Sequence, residues 1–127
     1  MTQSPQFQSN AQTGARRMTV KNYFPAGENA SFDAGGGLTR KVAAFNDNLM
    51  CVEVHFETGT TAPLHHHPHE QITYVISGRF EFTVGERTYE VGPGDSLYKQ
   101  PDIVHGATCL EAGTLLDLFT PHREDFL

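Results

Sequence analysis

The chain has 127 residues, enough for one domain around one core. Nine Lys plus Arg against fifteen Asp plus Glu give a net charge of −6, and such a balance argues against binding nucleic acid through its phosphates. Apolar residues make up 38%, yet no run approaches the roughly 18 consecutive apolar residues of a spanning helix, so neither nucleic acid nor membrane is an expected partner.

Residues 1–17 are polar and hold no apolar stretch that could form the core of a secretory signal. They read as a flexible segment ahead of a single domain over 18–127, in a cytoplasmic protein. Two cysteines, Cys51 and Cys109, are too few for a disulfide scaffold, and both read as small buried apolar residues. Segment 18–37 reads either as a flexible lead-in or as a strand crossing a subunit interface, hinged at Gly35-Gly36-Gly37.

From residue 38 onward short β-rich runs alternate with turn signals. The expected strands are 38–45, 49–56, 71–77, 79–84, 87–91, 96–99, 105–111 and 114–120. Between them fall Asn46-Asp47-Asn48, Gly59, Pro63, Gly78, Gly85-Glu86, Gly92-Pro93-Gly94-Asp95 and Pro101-Asp102. In 49–56, Val52, Val54 and Phe56 share one face, with Cys51, Glu53 and His55 on the other. In 79–84, Phe80, Phe82 and Val84 share a face. About eight short strands predict an all-β fold, either a small closed barrel or a two-sheet sandwich. An eight-stranded barrel has room inside for side chains and one small ligand. Tyr74, Phe80, Phe82, Val84 and Leu97 do not all fit inside such a barrel, so a homodimer that covers part of its outer surface is expected.

Four of the seven histidines stand at 65, 66, 67 and 69. On an extended chain His65 and His67 share a face, and Gln71 keeps their parity if Pro68 does not shift the phase. Neutral imidazole suits Ni, Zn, Mn, Fe or Cu. A lone histidine on a strand is more often structural, but a pair at i and i+2 beside a turn, with a third further along, points to a transition metal. His66 and Glu70 turn away by parity, and with His69 they read as surface or supporting residues.

Gly59, His65, His67, Gln71 and Gly78, with five, one, three and six residues between them, match the first motif of the cupin family. Gln71 replaces the usual Glu. Gly94-Asp95, Pro101-Asp102 and His105 resemble the second motif more loosely, with Cys109 where Asn is usual. The resemblance implies a small cupin β-barrel of the jelly-roll, or double-stranded β-helix, type. It implies one divalent transition metal per subunit (Ni, Zn, Mn or Fe), held by His65, His67, Gln71 and His105, and a homodimer. A carboxamide cancels none of the ion's charge, so the site would stay at +2. That favours an anionic substrate and Lewis-acid polarisation, and weakens an oxygenase built on two His and one carboxylate.

Asp117 interrupts the apolar run Leu115–Phe119. A carboxylate on a buried strand costs several kcal/mol unless paired or protonated, so Asp117 reads either as a general acid or base or as a group satisfied by a backbone amide or Arg123. Phe119 shares its parity. Arg123 offers a planar fork for a substrate carboxylate, or else forms a surface ion pair with Glu124 or Asp125. The spacing Asp117-x-Phe119-x-x-x-Arg123 resembles the pectin-degradation cupins, which linearise 4,5-unsaturated monouronates. That resemblance implies a small anionic sugar-like substrate, Asp117 and Arg123 as catalytic residues, and Phe119 with Arg123 as its contacts. The alternatives are another metal-dependent isomerase or lyase, a dioxygenase, and a non-catalytic metal- or sugar-binding module.

Overall fold

The computed structural model describes residues 20–127. The flexible segment expected over 1–17 lies outside the described residues. Ten strands run in chain order: β1 Phe32–Gly35, β2 Leu38–Phe45, β3 Met50–Phe56, β4 Thr61–His65, β5 Glu70–Val75, β6 Arg79–Val84, β7 Arg87–Val91, β8 Ser96–Lys99, β9 His105–Glu111 and β10 Gly113–Thr120. A 3-10 turn, Glu124–Phe126, follows them. All pairings are antiparallel. One sheet has the order β1-β2-β3-β10-β5-β8 and the other β4-β9-β6-β7. From β3 to β6, and again from β7 to β10, the chain changes sheet at each step. The fold is the jelly-roll type expected.

Period-two alternation decides which side chains meet between the sheets. Met50, Val52, Val54 and Phe56 of β3 point inward and are buried. Phe80 and Phe82 of β6 face them from the other sheet, and Phe80 meets Phe56 edge to face at 5.3 Å. Of the five residues expected to overfill the barrel, Phe80 and Phe82 are buried, while Val84 and Leu97 are half-buried. Only Tyr74 lies on the exposed outer face. Cys109 is a core residue, as expected. Cys51 is not: its β3 parity turns it outward, half-buried.

Two strands differ from the sequence expectation. β4 contains Pro63, which punctuates a central strand but is tolerated here because β4 is an edge strand, paired only with β9. β1 pairs with β2 of its own chain, Phe32 opposite Arg40. Gly35 ends β1 and Gly36-Gly37 make the turn of this hairpin, all three at positive φ.

Gly78 shows why a motif position needs glycine. Its φ is 86°, and a Cβ there would meet the Glu111 carbonyl oxygen at 2.6 Å and the Gly113 Cα at 2.7 Å. The β5–β6 turn thus nests on the β9–β10 turn. Gly78→Ala is expected to lower unfolding free energy by about 2 kcal/mol or more. Chemical denaturation measures this, and an unchanged midpoint would contradict the close approach.

Candidate metal centre and cavity

The candidate residues sit at one end of the space between the sheets. His65 is the last residue of β4 and pairs directly with His105, the first of β9. The chain then crosses to the other sheet, and His67 lies in that crossing, before β5. His67 is thus not on a continuous strand with His65, as the parity reading assumed. The ligand-capable atoms of His65, His67 and His105 lie within 4.8 Å of one another. Gln71, at the start of β5, completes the ring from the facing sheet, with Oε1 3.1 Å from His67 Nε2. Two donors each about 2.1 Å from one ion and at right angles would lie about 3 Å apart, so this spacing suits a shared metal.

The imidazoles are set for ligation by their backbone partners. His65 Nδ1 donates to the Pro63 carbonyl at 2.9 Å, and His105 Nδ1 to that of Ile103 at 2.9 Å. Each bond leaves the Nε2 lone pair for a metal. Burial pushes the His105 imidazole down to about 4, so it is neutral near pH 7. Burial first, and then Arg123, lower His67 as well. His67 Nδ1 is buried with no hydrogen-bond partner among the described residues. His66 is exposed, 3.7 Å from Asp102. His69 is half-buried and stacks edge-on against His67, centroids 5.3 Å apart.

Strand parity brings the second group of residues to the same cavity. Leu115, Asp117 and Phe119 face inward from β10. Asp117 lies opposite Thr73, and Phe119 opposite Gln71. Asp117 is satisfied neither by a backbone amide nor by Arg123. Its Oδ1 accepts from the Thr73 hydroxyl at 2.5 Å. Arg123 lies 5.3 Å over the Phe119 ring and lines the cavity, but its fork grips Asp125 through Nε at 3.0 Å and Nη2 at 2.8 Å. This pairing holds the Asp125 carboxyl below its ordinary value.

Three residues at the site escaped sequence reading. Lys99 is 2% exposed and lies opposite Gln71. Its ammonium donates to Thr73 Oγ1 at 2.8 Å and sits 4.6 Å over the Phe82 ring. Burial pushes it below the ordinary lysine value, against the pull of Asp117. Thr73 is fully buried. Arg40, from β2, lies 4.0 Å over the Phe126 ring at the cavity wall. The signal for Lys99 and Thr73 was parity: Leu97 with Lys99, and Gln71 with Thr73. The cavity measures about 390 Å³, the size of a small-molecule site.

The Cupin domain family model matches residues 52–119. The pectin degradation protein KdgF of Dickeya dadantii is 36% identical over 110 residues, spanning 85% of this chain and 100% of that protein. The structure of KdgF from Halomonas sp. superposes with a TM-score of 0.80 at 34% identity, covering 85% of this chain and all of that one. An RmlC-like cupin from Shewanella frigidimarina superposes with a TM-score of 0.81 at 39% identity, covering 87% and 100%.

His105→Ala is expected to abolish tight metal binding, because it removes one of three convergent imidazoles. Elemental analysis checks this. About one ion per subunit in the native protein and a trace in the variant is the expected pair of results. Equal metal content in both would remove His105 from the site.

Proposed function

The chain belongs to the cupin family, and from that premise we propose that it is a metal-dependent enzyme that linearises 4,5-unsaturated monouronates in pectin or alginate breakdown. The observation that carries this reading is the charge of the cavity. Its lining side chains include Arg40, Lys99 and Arg123 against Asp117 and Asp125, in a chain of net charge −6. A positive cavity in an acidic protein favours a small anion. The likeness to KdgF over that protein's full length supports a sugar acid as the anion.

The ligand set is His65, His67, Gln71 and His105. A divalent transition metal held there would supply Lewis acidity to a substrate oxygen that gains negative charge. The rest of the work falls to the chain's own residues. In the cyclic substrate the proton leaves the anomeric hydroxyl as the bond between carbon 1 and the ring oxygen breaks. The aldehyde and the enolate of a 5-keto acid result, and delivery of that proton to carbon 4 completes the isomerisation with no oxidant or reductant. Asp117 moves this proton through Oδ2, since Oδ1 is held by Thr73. Arg123 receives the substrate carboxylate by exchange with the exposed Asp125. Phe119, 2% exposed, is the apolar wall that keeps water from the enol.

The active form is a homodimer. Ile72, Tyr74, Ile76 and Tyr98 leave an exposed apolar patch on the outer face of the larger sheet, and a second copy would cover it. Two free thiols support a reducing, cytoplasmic setting. Among the described residues no helix is long and apolar enough to cross a membrane.

Metal-loaded protein is expected to bleach the ultraviolet absorbance of the unsaturated monouronate and to yield the 5-keto acid by proton NMR. Asp117→Asn is expected to lower kcat by about 10²- to 10⁴-fold while bound metal stays at the native level. Unchanged substrate after incubation with fully loaded protein would end the proposal. Sedimentation equilibrium tests the dimer, which Tyr74→Glu is expected to split into monomers.

A further inference from the structure

A threonine hydroxyl has one proton to give and two lone pairs to receive with, and at Thr73 all three are in use. The Lys99 ammonium, which can only donate, lies 2.8 Å from Oγ1. The Gln71 Nε2, also a donor, lies 3.3 Å away. The one proton must go to Asp117 Oδ1, at 2.5 Å, because the carboxylate is the only acceptor of the three. Thr73 is 0% exposed and Lys99 2%, so no bulk water competes for these positions.

Two consequences follow at opposite ends of the site. With its nitrogen on Thr73, the Gln71 amide turns its oxygen toward His67 Nε2, 3.1 Å away. An amide without that anchor could present either end to the histidines, and only the oxygen is a metal donor. At the other end, Asp117 Oδ1 is fixed as an acceptor. The register supports both: Thr73 stands opposite Asp117 in β10, and Gln71 opposite Lys99 in β8.

We propose that Thr73 is a positioning residue, and that its hydroxyl, with both lone pairs filled from Lys99 and Gln71, orients the Gln71 oxygen toward the metal ligands and Asp117 toward the substrate. The inference rests on the reading of Gln71 as a ligand and Asp117 as the proton-moving group. Lys99 is the second member of the device, a buried cation that forces the direction of the hydroxyl proton.

The test compares Thr73→Val, which keeps the shape and removes the hydroxyl, with Thr73→Ser, which restores it. Zn²⁺ is the probe, and its dissociation constant is read by competition with a chromogenic chelator, beside a thermal melt. Thr73→Val is expected to bind Zn²⁺ about tenfold or more weakly and to lose kcat more than KM. Thr73→Ser is expected to recover most of both. Lys99→Met, which keeps the apolar stem, is expected to weaken Zn²⁺ in the same direction and carries the test where Thr73→Val does not fold. Native Zn²⁺ affinity in Thr73→Val, or equal losses in Thr73→Val and Thr73→Ser, would overturn the inference. If His105→Ala binds Zn²⁺ as tightly as the native protein, the metal-site reading itself falls, and Thr73 falls with it. If His105→Ala loses Zn²⁺ while Thr73→Val and Lys99→Met keep it, only the role of Thr73 is lost.

Discussion

The spacing of the two sheets governs everything else in this molecule. Phe56 on β3 and Phe80 on β6 meet edge to face at 5.3 Å, and this contact between sheets sets how far apart their inner faces stand. Edge-to-face aromatic pairs add about 0.5–1.5 kcal/mol beyond the area they bury, and the close packing of the surrounding core resists changes in their separation. The site depends on that separation because its donors are divided. His65 and His105 belong to the smaller sheet, Gln71 and Asp117 to the larger, and His67 to the crossing between them. A shift of an ångström between sheets would spoil the ring of donors while leaving every strand intact. The apolar half of the interior is thus a gauge for the polar half.

The polar half violates the rule that interiors are apolar, and it does so at a cost. A buried ammonium is expensive unless paired and hydrogen-bonded. Lys99 has one hydrogen bond, to Thr73, one aromatic face, Phe82, and a carboxylate one hydroxyl away. The ammonium and the Asp117 carboxylate do not touch; the hydroxyl between them carries the contact. A direct salt bridge would occupy the carboxylate with a second charge. The interposed hydroxyl satisfies one oxygen and leaves the other for the proton transfer proposed above. Local consistency is expected to fail at functional sites, and here it fails at Lys99, Thr73 and Asp117 together, on three adjacent strands.

Much of this was legible in the sequence. Turn residues located eight of the strands, and alternation oriented β3 and β6, whose apolar and polar faces separate cleanly. β4 was hidden because Pro63 reads as a terminator until one knows that β4 lies at an edge. β1 was hidden because Gly35-Gly36-Gly37 signals a bend without saying what pairs across it. The convergence of His65, His67 and His105 was legible through spacing, although His67 reaches the cluster from a loop rather than by strand parity. Asp117 was legible as an anomaly in an apolar run, but its partner was not, since Thr73 lies 44 residues earlier in sequence. Lys99 was the least visible. A lysine at the end of a short strand looks like surface, and only the inward parity it shares with Leu97 argues otherwise.

The exchange of glutamate for glutamine at position 71 gains meaning from these contacts. A glutamate there could accept but not donate, so Thr73 would lose one of its two donors and Lys99 would face two carboxylates. The amide donates to Thr73 and accepts on its other atom, so one residue meets both the His67 imidazole and the Thr73 hydroxyl. The Asp117 carboxylate reaches Gln71 only through the Thr73 hydroxyl that lies between them. The glutamine at position 71 and the carboxylate at position 117 are thus joined through one buried hydroxyl, that of Thr73.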